Sequence, residues 1–170
     1  MIAAALTTLA LFASAAPPDT STLQHAAPSP LRAVAAAGPS VADRQGHGPV
    51  AGLGLGTGFE LGTNPYLRVA FRLDVHAFRA GGLTSHTTTG LLLFKVHLRP
   101  AGWRAWPFLY AGVGYGTAPN YSDFVLPAAA AAGFGVQCRL PGGQEIFLEA
   151  GTLGANETHF IPIRLGTLLP

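Results

Sequence analysis

The chain has 170 residues with 10 Lys and Arg against 8 Asp and Glu, a net charge of +2. Charged residues make up 11% of it, less than half of the roughly 25% usual for soluble domains, and 22 glycines take much of their place. So little charge excludes a disordered or nucleic-acid-binding chain, and one cysteine excludes an intrachain disulfide framework or a cysteine-only metal cluster.

Residues 1–16, MIAAALTTLALFASAA, carry no charged side chain. The apolar run Ile2 to Ala13 leads into Ala13-Ser14-Ala15, an A-x-A cleavage pattern, so a signal peptide cut near Ala15 is expected. Residues 17–48 are rich in Ala and Pro and read as a linker, with one weak strand candidate at 31–37. The remaining 49–170 form a single β domain, because hydropathy there repeats every second residue.

Tyr66 to Phe78 shows this period best. Leu67, Val69, Phe71, Leu73, Val75 and Ala77 share one face, and Arg68, Arg72, Asp74 and His76 the other. A helix would scatter the odd-numbered apolar residues right round its circumference. The same alternation sets Leu53, Leu55, Phe59 and Leu61 against glycines and Glu60, and Leu92, Phe94, Val96 and Leu98 against Leu91, Leu93, Lys95, His97 and Arg99. It recurs at Leu109–Tyr115, at Ala128–Leu140 with Gln137 and Arg139, at Ile146–Ala150 with Glu145 and Glu149, and at Ile161–Leu169 with Arg164. Seven strands are detectable, and closure with both termini at one end favours eight, the eighth being 31–37.

The orientation of the faces decides the class. The strands reach or exceed the ~9–11 residues of a tilted membrane strand, whereas soluble strands average about five or six. The face opposite the large aliphatic residues holds glycine and a few charges of both signs, which suits a cramped lumen better than a wetted exterior. The expected fold is therefore a small antiparallel up-and-down transmembrane β-barrel. Aromatics near strand ends, Tyr66, Phe78, Trp103, Trp106, Tyr115, Tyr121, Phe124 and Phe160, are expected at the membrane interface. Gly62-Thr-Asn-Pro65 and Pro141-Gly-Gly143 are short turns, and 100–106 is a moderate one; 79–85, 117–125 and 154–159 read as the mostly longer, outer loops.

Pro107-Phe-Leu-Tyr-Ala-Gly-Val-Gly-Tyr-Gly116 resembles the P-[YF]-x-x-x-G-x-G strand of small bacterial outer-membrane β-barrel proteins, the broad OmpA/opacity-like group. Ala132-Gly-Phe-Gly-Val136, Ile146-Phe-Leu-Glu-Ala-Gly151 and Ile161-Pro-Ile-Arg-Leu-Gly166 are similar to later strands of that group. The resemblance covers residues 48–170. It implies a bacterial outer-membrane location, outer-membrane lipid and the barrel-assembly machinery as partners, and a porin-like envelope protein. The chain departs from the group by finishing Leu168-Leu169-Pro170 rather than on an aromatic residue.

The expected lumen gathers Glu60, Arg68, Arg72, Asp74, His76, Lys95, His97, Arg99, Arg139, Glu145, Glu149 and Arg164 into a charge network that stands in for a packed core. An eight-stranded barrel is just filled by its own side chains, so no wide pore is expected. Gly52 to Gly58 lacks the G-x-G-x-x-G spacing and any following helix, so no nucleotide cofactor is implied. His76 and His97 fall on different strands without metal-ligand spacing, and neither a metal site nor any other cofactor is expected. Adjacent Ser85 and His86 point to opposite faces and cannot pair directly in a hydrolase with Asp123 or Glu149. A structural or surface-loop interaction role is favoured. Two rivals remain: a lipid-modifying outer-membrane enzyme, and a soluble exported barrel whose large residues point inward around an apolar ligand.

Overall fold

The computed structural model describes residues 31–44, 48–62, 64–80, 83–98, 103–117, 128–155 and 158–169. Eight strands follow in chain order: β1 (Leu31–Arg44), β2 (Gly48–Gly62), β3 (Leu67–Ala80), β4 (Leu83–His97), β5 (Ala105–Gly116), β6 (Ala128–Arg139), β7 (Glu145–Ala155) and β8 (Thr158–Leu169). Each pairs antiparallel with its sequence neighbour, and β1 pairs with β8 to close the barrel. Closure leaves no strand edge, so every wall strand has partners on both sides.

Residues 1–30, including the expected cleavage site and most of the expected linker, lie outside the described residues. The barrel takes in Leu31–Arg44, a stretch the composition assigns to the linker apart from 31–37. The reason is contrast: inward Val34, Ala36, Ser40 and Ala42 alternate with outward Ala33, Ala35, Ala37 and Val41, and small residues on both sides hide the period. The first half of β4 is hidden likewise, with Thr87 and Thr89 inward and Thr84, His86 and Thr88 on the outer side.

These longer strands shrink the loops. Only residues 45–47, 81–82 and 156–157 separate β1 from β2, β3 from β4 and β7 from β8, so the expected longer loops at 79–85 and 154–159 are tight hairpins. At this loop end only 117–127 is a long connection. The opposite, turn end is built by local chemistry. The Asn64 Oδ1 accepts from the backbone N–H of Tyr66 (2.8 Å) and Leu67 (2.7 Å). Gly142 and Gly143 adopt φ of 99° and 86°, a region closed to most residues, while the Gly143 N–H donates to the Leu140 carbonyl at 3.0 Å. Leu31 pairs with Leu61 and Leu169 with Ala33, so both described termini lie at the turn end.

The wall is apolar outside and charged inside. Leu53, Leu55, Val113, Phe134 and Leu165 are each more than 60% exposed. Glu60, Asp74, His76, Glu149, Arg164 and Lys95 are 0–2% exposed. A soluble barrel around an apolar ligand would need the reverse, and that rival falls. The described strands span 11 (β7) to 15 residues (β2 and β4), enough to cross a bilayer at the usual tilt.

Candidate functional site

The lumen is filled by side chains that lie over bare backbone. Large groups come mainly from β3, β4, β5 and β7, and glycines line β2 and parts of β5, β6 and β8. A Cβ on Gly133 would stand 2.6 Å from the Tyr110 ring. One on Gly135 would strike the Phe108 ring, one on Gly166 the Phe147 ring, and one on Gly56 the Asp74 carboxylate. Each of these glycines therefore leaves room for the large side chain of its paired residue on the adjacent strand.

Two ionic groupings occupy this space. In the middle, the Glu149 Oε1 accepts from Arg72 Nη1 at 2.5 Å and from Arg164 Nη1 at 3.4 Å. Asp74 Oδ2 lies 3.2 Å from Arg164 Nη2 and 3.4 Å from Arg72 Nε, so two guanidinium groups meet two carboxylates. Arg164 Nη2 also donates to His76 Nε2 at 3.1 Å, and the His76 ring stacks on Phe160 with centroids 4.8 Å apart. The Arg72 guanidinium lies 5.7 Å from the centre of the Tyr110 ring.

Towards the turn end, Glu60 accepts from Arg68 Nη1 and Lys95 Nζ, both at 2.7 Å. The Lys95 ammonium also sits between the Phe108 and Phe147 rings, 5.2 and 5.1 Å from their centres. Glu145 Oε1 accepts from Arg139 Nε (3.0 Å) and Nη2 (2.6 Å), while its Oε2 accepts from Gln137 Nε2 (2.5 Å) and from Arg32. Gln137 spends its amide nitrogen on Glu145, so its oxygen is left to accept from His97 Nε2 at 3.0 Å. A buried charge stripped of its partner costs several kcal/mol, and these pairings are what make a charged interior tenable.

The loop end of the lumen is different. Ala42, Phe78, Leu153, Ala155 and Phe160 are 0–7% exposed there, with the Phe78 and Phe160 rings 6.1 Å apart. Thr87 and Thr158 are the polar company, each at most 8% exposed. Among the described residues, that end is lined by apolar and hydroxyl side chains.

The structure brings Glu60 with Arg68 and Lys95, Arg72 and Asp74 with Glu149, Arg164 and His76, and His97 with Glu145 through Gln137. Arg139 stands at the rim, its side chain 40% exposed. Arg99, Tyr121 and Phe124 lie outside the described residues. Three aromatic assignments need correcting: Phe78, Trp106 and Phe160 are 7, 5 and 0% exposed and fill the lumen instead of the membrane interface. Their even numbers already put them in step with Arg72, Gly112 and Arg164 on the inward face. Tyr66, Trp103 and Tyr115 are 57–62% exposed on the outside. Arg32, Tyr110, Phe108 and Phe147 are further lumen residues; strand parity is the available signal for the three aromatic ones, whereas β1 offers Arg32 no such period.

Ser85 is half-buried and inward-facing while His86 is exposed, so the two do not form a nucleophile–base pair. Among the described residues no group of three or more His, Cys, Asp or Glu is placed to hold a metal ion. Most of these charges are paired with one another inside the barrel.

No family model matches the sequence and no curated protein does. Among solved structures, Neisserial surface protein A superposes with a TM-score of 0.71 at 12% identity, over 83% of this chain and 97% of that one. The N-terminal β-barrel domain of Pseudomonas aeruginosa OprF gives 0.47 at 12% identity, over 81% and 97% of the two chains. A designed transmembrane β-barrel gives 0.47 at 14%, over 83% and 98%.

Proposed function

We propose that this chain, which has the fold of the small outer-membrane β-barrel proteins, is itself a bacterial outer-membrane barrel that serves a structural or surface-interaction role and forms no wide pore. One observation carries the reading: the barrel is inside out relative to a soluble protein, with leucines and phenylalanines more than half exposed around its girth and ion pairs within. Water is a poor solvent for that exterior and acyl chains a good one. Export by a signal peptide cut near Ala15 and insertion by the barrel-assembly machinery complete the proposal. The turn end, with both described termini, then faces the periplasm, and the loop end faces outward. Three of its four connections are tight, so contact with partners falls mainly to residues 117–127 and the hairpin tips.

The lumen supports the absence of a pore. Phe160, Leu93, Leu153, Phe108 and Phe147 are 0–1% exposed, as a filled barrel requires. The test is the purified protein in planar bilayers, alongside its mobility on gels with and without heating. A folded, faster-migrating unheated form with no stable large conductance is the expected result. A steady nanosiemens channel would refute it.

A further inference from the structure

The ionic groupings of the lumen do not balance equally. In the middle, Arg72 and Arg164 face Asp74 and Glu149, two charges against two. Towards the turn end, Arg68 and Lys95 share Glu60, and Arg32 and Arg139 share Glu145, which sets four cations on two carboxylates. The outer of these two groups is partly wet, since the Arg139 side chain is 40% exposed and that of Arg32 11%. The inner group is not: Arg68 and Lys95 side chains are 3% and 2% exposed.

Both oxygens of Glu60 are already engaged, one by each cation. Arg68 gives Nη1 to Glu60, and its buried Nε–H has no partner. Lys95 turns its remaining charge toward two aromatic faces, which soften an excess cation without cancelling it. The inner group thus holds one cation more than the carboxylate its members share, in a water-poor interior where an unpaired ion costs several kcal/mol. On the loop side of the ionic layers the described lumen is filled by the buried Phe78, Leu153 and Phe160.

We propose that the turn-end layer of the lumen binds a small oxyanion, admitted past Arg139 and Arg32 and held by the unpartnered Nε–H of Arg68 together with Lys95, the second cation on Glu60. Inorganic phosphate is the probe. This inference requires only the closed barrel and not its residence in a membrane, so its failure would leave the proposed function standing.

Trp106 is the built-in reporter. It is inward-facing, 5% exposed and paired across strands with Gln137, which itself binds Glu145. The protein has two tryptophans, so Trp103→Phe leaves Trp106 alone. In non-ionic detergent, iodide should quench Trp106 roughly tenfold more strongly than caesium, as expected of a cleft lined by one sign of charge, and phosphate should suppress that quenching. Arg68→Gln leaves Lys95 and Glu60 one against one, so the variant should fold, keep its heat-modifiable mobility and lose the iodide preference. Lys95→Gln is the second variant and should behave alike. Equal quenching by iodide and caesium, quenching by neither, no competition by phosphate, or a preference that survives both substitutions would each overturn the proposal.

Discussion

The two ends of the lumen fill the same kind of space by opposite means. From the turn end to the middle, ten charged side chains, Arg32, Glu60, Arg68, Arg72, Asp74, Lys95, Arg139, Glu145, Glu149 and Arg164, interlock over glycine backbone. At the loop end the inward side chains whose burial is described include Ala42, Phe78, Ala129, Leu153, Ala155 and Phe160 with Ser85 and threonine hydroxyls, and none of these is charged. The difference teaches where robustness lies. An apolar plug loses contact energy in proportion to the volume removed, whereas an ionic cluster loses its solvent substitute when a single member goes.

That contrast can be broken by substitution. Glu149→Ala leaves Arg72 and Arg164 with Asp74 alone, and a cost of about 3–5 kcal/mol is expected for removing one partner of a buried cluster. Leu153→Ala at the apolar end should cost less, towards the lower end of the about 2–5 kcal/mol of buried Leu→Ala changes, which is a cavity effect in which no charge is stranded. Reversible urea unfolding from vesicles, followed by the heat-modifiable gel shift, measures both. An equal or reversed ranking would show that the ionic half tolerates loss as easily as the apolar half, through water entering from the turn end.

Much of the barrel was legible where the two faces of a strand contrast in chemistry. In β3, arginines, Asp74 and His76 alternate with leucines and valines, and from Leu67 to Ala77 the two faces are legible directly from the sequence. In β1 and the first half of β4 both faces carry like residues, small ones or hydroxyls, so no period survives and the pairing partners alone select the strand. That is also why Arg32 was missed. For Phe78, Trp106 and Phe160 nearness to a strand end is a weaker guide than parity, because rings are as useful for plugging a glycine-lined lumen as for anchoring in headgroups. The inward side of the charges follows from period two, but their partners do not. Arg72 meets Glu149 from 77 positions away, a pairing set by closure of the sheet and invisible in local spacing.

The central claim is that the outward aliphatic band of this barrel lies in hydrocarbon. Cys138 is the chain's one cysteine, so Cys138→Ser with Leu165→Cys gives a single site for a fluorescent label at an outward position 61% exposed in the native protein. In vesicles of lipids brominated in mid-chain, the account predicts strong quenching of that label and no effect of aqueous iodide. Quenching by iodide with indifference to the brominated chains would contradict it.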